Sequence, residues 1–184
     1  DSIATLDKVY IANANAKLIH ANKEVLLTAG AFGGYIYSNA DVSLSASSAT
    51  HISAFGNVRM TLQSSVTKNV ESAKYVYLLS SNVVGDIKAY DYVDLNGVAI
   101  SRSKVNGSVI AKGQNLTYIL LLGSYAVTLT DSVVDQNVYA KGRVGLFLIS
   151  SIGGKTLSST ASLTTAQKKE FDERLTAVRK VHKL

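Results

Sequence analysis

The chain has no cysteine, no proline and no tryptophan, and one methionine among its 184 residues. Without cysteine there is no disulfide, no thiolate zinc site and no thiol catalysis. An average chain of this length carries about nine prolines. Their absence points to backbone that is paired nearly end to end, where each missing N–H would be felt. Charge is also scarce: 17% of residues are charged and the net charge is +6, against 47% hydrophobic residues, a balance that excludes a disordered chain. Long apolar runs are missing too. Tyr118 to Leu122 and Val144 to Ile149 fall far short of the roughly 20 residues of a membrane helix, so the expectation is a soluble single domain with no transmembrane segment.

What is present is an internal repeat. Val9, Val25, Val42, Val58, Val76, Val93, Val109, Val127 and Val144 recur at intervals of 16 to 18 residues, and each opens a short alternating stretch such as Val9-Tyr10-Ile11 or Val76-Tyr77-Leu78. Alternation is the signal of a half-buried strand. A second apolar column lies midway: Leu18, Ile36, Ile52, Val70, Ile87, Val105, Ile119, Val138 and Leu157. Turn-formers stand between the two, for example Gly33-Gly34, Gly85-Asp86, Asn106-Gly107 and Gly153-Gly154. A unit this short circles a narrow core once. The pattern therefore predicts an all-β, single-domain parallel β-helix of about nine coils of 16–18 residues over residues 1–163. At one strand spacing per coil the rod would be about 40 Å long. An antiparallel sandwich is the other architecture the composition permits, but it has no reason to keep its valines in step.

Residues 164–184 read differently. Phe171, Leu175 and Val178, followed by Val181 or His182, fall on one helical face. Thr164 and Gln167 make a capping box, and residues 165–184 hold six Lys or Arg against three Asp or Glu. This predicts a C-terminal amphipathic helix, with Phe171, Leu175 and Val178 as its apolar stripe and Lys168, Lys169 and Arg179 on its basic side. Its expected role is to cap the solenoid; the other roles open to it are partner binding and contact with an anionic membrane. Residues 1–7 offer no comparable cover, so the first coil is expected to present strand edges that invite end-to-end association.

No catalytic site is expected. The three histidines, His20, His51 and His182, stand in no hydrolase, zinc, P-loop or dinucleotide motif. His20 and His51 are two coils apart on opposite sides of an apolar column, a placement that predicts no convergence. Asp94 is the outward residue of its strand and stacks next to Tyr77, where a solvated surface charge is the expected state. The tyrosines are more informative. Tyr75 and Tyr92 precede column valines and Tyr77 follows one, so alternation points them outward. With Asp94 they are the candidate ligand-binding group, for glycan or protein; the competing expectation is that they only stack neighbouring coils. Lys and Arg form no stripe interleaved with aromatics, so no nucleic-acid partner is expected. No metal or other cofactor is expected either.

The Val- and Ile-lined repeat, with Val84-Gly85-Asp86-Ile87-Lys88-Ala89 and Gly107-Ser108-Val109-Ile110-Ala111-Lys112-Gly113, resembles the bactofilin type of bacterial β-helix and the parallel-β heads of envelope adhesins, including GIN-head domains. The resemblance covers most of residues 8–159. It implies a non-enzymatic structural or adhesive module of a bacterial cell envelope, able to self-assemble and partnered by itself or another envelope protein. Its regular glycines and Pro-rich tails are missing here. A chain that opens on Asp1 and lacks cysteine is expected to be exported, to periplasm, cell surface or medium, with the cytoplasm as the other compartment. The alternative function is polysaccharide binding, or less readily cleavage, through the exposed Tyr face.

Overall fold

A computed structural model describes residues 1–97, 101–111, 125–140 and 142–158. Over these residues the chain is a parallel β-solenoid of about eight turns, and each turn has three sides. The first face is built from Val9–Ala12, Val25–Thr28, Val42–Ser45, Val58–Thr61, Val76–Leu79, Val93–Asn96, Tyr125–Thr130 and Arg143–Phe147. Each of these strands pairs in parallel with the next. The second and third faces begin as continuous bent strands, Asn15–Ala21, Phe32–Ser38 and Ser48–Ala54. Ser48–Ala54 then pairs with two separate strands, Ser65–Val66 on the second face and Val70–Ser72 on the third.

The inward positions explain why these segments are strands. On the first face, Val25 and Leu27, Val42 and Leu44, Val58 and Met60, and Val76 and Leu78 are all buried, while the residues between them face outward. The third face stacks Ile19, Ile36, Ile52, Val70, Ile87, Val109 and Val138 in register. The second face carries Ala16, Gly33, Ala49, Val66, Val83, Val105 and Val134. Together they form one continuous apolar core.

Backbone pairing continues through the corners. The Gly30 amide donates to the Ala46 carbonyl at 2.7 Å and the Phe55 amide to that of Ser38 at 2.8 Å. This is the physical content of the missing prolines: a corner proline would delete a bond between turns. The corner after the first face repeatedly holds a residue in the left-handed region: Asn13, Ala29, Ala46, Leu62, Ser80, Asp131 and Leu148 all have φ between 45° and 54°. A buried serine follows in most turns. Ser47, Ser81 and Ser132 each donate through Oγ to the carbonyl two residues back, at 2.8–2.9 Å.

Two sequence expectations are corrected by the register. The column containing Val93 continues directly to Val127, 34 positions on, so Val109 does not belong to it. Val109 lies on the third face between Ile87 and Val138. Among the described residues the turns number about eight; the first ones carry two strands each, as the repeat implies, and the later ones three. In the second column, Leu18 and Leu157 pair with outward tyrosines, Leu18 with Tyr35 and Leu157 with Tyr139, and Val105 belongs to the second face. Ile119 and the predicted C-terminal helix, with Lys168, Lys169, Phe171, Leu175, Val178 and Arg179, lie outside the described residues. No helix among the described residues is long and apolar enough to cross a membrane.

Candidate functional site

The outer side of the first face carries the candidate group. Register places Arg59, Tyr77, Asp94 and Thr128 in one ladder. Tyr75 and Tyr92 flank it from the positions just before the strands, and their rings stack at 5.0 Å with an interplanar angle of 13°. The guanidinium of Arg59 joins the two sets. It donates from Nη2 to the Tyr75 hydroxyl at 3.2 Å and lies 5.7 Å from the centre of the Tyr77 ring, within cation–π range. The structure thus brings Tyr75, Tyr77, Tyr92 and Asp94 together and adds Arg59. The signal for Arg59 was present in the repeat, since it holds the same place after Val58 that Tyr77 holds after Val76.

Asp94 overturns the expectation of a solvated charge. Although it points outward, it is only 6% exposed. Asn96 hydrogen-bonds to its carboxyl, yet Oδ1 has no partner. Burial pushes the Asp94 carboxyl up to about 6, with the Asn96 hydrogen bond working against it. Burial, and then the Asp94 charge, also raise the Tyr77 hydroxyl above its usual range. The Tyr92 hydroxyl is raised by burial first and by Tyr75 next. The native carboxyl therefore holds its proton to higher pH than the unfolded one, whose ordinary value is 3.8. Folding stability should fall as pH rises from about 4 to about 6 through this group. In Asp94→Asn this decline is expected to be absent and stability at neutral pH higher, as thermal melts across pH would show. An unchanged pH profile would mean that Asp94 is solvated.

The histidines keep the placement that spacing gave them. His20 and His51 both meet the ring of Tyr37 on the outer side of the third face, with centroids at 4.9 Å and 6.1 Å. The two stand on opposite sides of the Ile19–Ile36–Ile52 column, two turns apart, and each meets Tyr37 from the turn on either side of it. His51 is pushed below its ordinary value by burial first, while the Glu71 carboxylate acts in the opposite direction. Among the described residues no cluster of three His, Asp or Glu side chains comes together that could hold a metal ion.

Glycines in the repeat serve mainly through the missing side chain. A Cβ on Gly85 would stand 2.7 Å from the Lys68 carbonyl carbon, and one on Gly107 would stand 2.4 Å from the Gly85 oxygen. These glycines let one turn settle on the backbone of the turn before.

Comparisons with protein-family models, with curated proteins and with solved structures return no match for this chain. The likeness to bactofilins and envelope adhesins therefore remains one of repeat pattern, and function has to be argued from the stacked faces themselves.

Proposed function

We propose that the chain is a non-enzymatic structural and adhesive module of a bacterial cell envelope, exported and working through a rigid solenoid surface and end-to-end assembly. The observation that supports this best is the parallel stack itself. Its first strands, Ser2–Thr5 and Val9–Ala12, each pair on one side only among the described residues. An edge of this kind is a template for another strand. Around it stand Asp1, Asp7 and Lys8, all exposed, with Asp7 held by Lys23 at 2.9 Å. Such charges set the orientation of an incoming copy or envelope partner and make the association salt-dependent. Light scattering on a size-exclusion column at low and high salt, with negative-stain images, tests this reading. A concentration-dependent oligomer series or fibres is expected, and a monomer at every concentration and salt would remove the assembly role.

A second reading is favoured by the Arg59–Tyr75–Tyr77–Tyr92 group, which presents stacked rings and a guanidinium above the buried Asp94 carboxyl. Sugar rings offer apolar C–H faces for such rings and hydroxyls for such polar atoms. Under this reading Tyr75→Ala and Tyr92→Ala abolish binding on a glycan array with the fold retained. If they lower the melting temperature and leave glycan binding intact, the tyrosines only stack the turns.

A further inference from the structure

One outer row of the first face holds a cation and a carboxyl that have not met. Arg59, Tyr77 and Asp94 are successive register partners, so Arg59 and Asp94 stand two strand spacings apart, about 10 Å between Cα atoms. An extended arginine and an aspartate together cover that distance. The Arg59 guanidinium already leans toward it. It donates to the Tyr75 hydroxyl at 3.2 Å and lies 5.7 Å from the centre of the Tyr77 ring, both one turn nearer Asp94. Arg59 is exposed and pairs with no carboxylate among the described residues. At the other end, Asp94 is 6% exposed and its Oδ1 has no partner. A buried polar atom left unpaired is costly, and an ionised one more so.

The other described groups around this carboxyl bring it no counter-charge. Its own strand supplies Asn96, which hydrogen-bonds to it, and Asp91 and Tyr92 stand just before that strand. The preceding turn brings Tyr75 and Tyr77, with Lys74 at the corner, where its carbonyl accepts from the Asp91 amide at 2.9 Å. The hydroxyls of Tyr77 and Tyr92 are raised by burial first and so stay neutral. The next turn sets Thr128 in register, and Arg143 lies one turn further, at the position of Tyr125. We infer that Arg59 has a second resting place on Asp94: with the carboxyl protonated the guanidinium lies on Tyr75 and Tyr77, and on ionisation it crosses the Tyr77 ring to pair with Oδ1. The cation keeps a π face beneath it on the way. On arrival it gives charge-assisted hydrogen bonds in place of one to a neutral hydroxyl. Burial pushes the Asp94 carboxyl up to about 6, which places the exchange between acidic and neutral pH. The first face then has two surfaces, one with the guanidinium on the tyrosines and one with the Tyr75 hydroxyl released. This device needs neither sugar binding nor end-to-end assembly.

An NMR titration of protein carrying isotope-labelled aspartate and arginine tests the inference, with the two signals assigned by their loss in Asp94→Asn and Arg59→Gln. The Arg59 Nε–H resonance is expected to move with the same midpoint as the Asp94 carboxyl, and to stand still in Asp94→Asn. Arg59→Gln, at an exposed position that does not threaten the fold, should raise the Asp94 midpoint by about one pH unit, the loss of one opposite charge. Tyr75→Phe keeps the ring stack and removes the competing acceptor, so it should lower the midpoint. Lys74→Gln and Arg143→Gln should leave it in place. An Asp94 midpoint that Arg59→Gln does not raise would overturn the inference. So would an Arg59 resonance that stays fixed from acidic to neutral pH.

Discussion

Replacing Lys88 with methionine is expected to cost about 3–5 kcal/mol of folding stability, the usual consequence of stranding one member of a buried ion pair. Lys88 and Glu71 meet at 3.1 Å with side chains 15% and 8% exposed. They occupy neighbouring outward positions on the third face, in a row that runs from Ser53 to Ile110, both fully buried. A carboxylate left alone there loses its counter-charge without regaining water. For a chain of this size each kcal/mol moves the melting temperature by roughly 2–4 °C, so the loss is readily seen by circular dichroism. The double replacement Glu71→Leu/Lys88→Met removes both charges and should recover most of the stability, because a well-packed apolar pair often matches a buried ionic one. If Lys88→Met melts with the wild type, the pair is solvated and this row is not a closed surface.

Truncating Ile52 to alanine should cost about 2–5 kcal/mol, the sum of lost transfer energy and the cavity left behind. Ile52 is fully buried and stacked between Ile36 and Val70 in the middle of the column. Its position matters beyond its size. A solenoid is held together turn by turn through nearest-neighbour contacts, so a defect at mid-rod weakens the coupling between the turns on either side. The expected sign is a broader denaturant transition, with a smaller slope as well as a lower midpoint. Tyr10→Ala is the contrasting change. Tyr10 is outward, 66% exposed and located on the first turn, and its loss should cost little apart from the contact of its hydroxyl with Thr28.

The repeat, the strands and the outward aim of the tyrosines could be read from alternation and spacing alone, because both report directly on which side chains leave water. The turn count could not, and the reason is arithmetic. Register partners on the second face are 17 residues apart at Ser65 and Asn82, 22 apart at Asn82 and Lys104, and 29 apart at Lys104 and Val133. Extra residues enter after Asn96 and again after Ala111, and together they amount to one turn. Val109 therefore falls one turn-length after Val93 while lying on a different face. Spacing conceals an insertion of that length, and only pairing reveals it. The third column was hidden for a different reason: its early members, Ala16, Gly33 and Ala49, are small and carry little apolar signal.

The candidate site shows the same division. That Asp94 would stack beside Tyr77 followed from spacing, but its burial did not, since period two says which face a residue occupies and nothing about what surrounds that face. Similarly, His20 and His51 meet one ring because rows on a flat parallel sheet bring neighbouring turns within a strand spacing of each other, about 4.8 Å. Residues in different turns become neighbours even when the linear sequence separates them widely. The glycines were read as turn residues. Of the described glycines only Gly30 has a positive φ, while most of the left-handed corners are held by Asn, Ala, Leu, Ser and Asp.

Every surface described above depends on which residue stacks on which, and the turn count depends most of all on the passage from Val93 to Val127. Because the chain has no cysteine, one engineered pair can report that contact without interference. Asn96 and Thr130 are register partners on the outer side of the first face. Adjacent strands place their Cα atoms about 4.8 Å apart, inside the range of about 4.4–6.8 Å that a disulfide accepts. The double variant Asn96→Cys/Thr130→Cys, oxidised and mapped by proteolysis and mass spectrometry, is predicted to form an intramolecular disulfide and to melt at a higher temperature than its reduced form. A folded, β-rich variant whose cysteines stay reduced or link only between molecules would contradict this register, and with it the place of Thr128 beside Asp94 and the turn count.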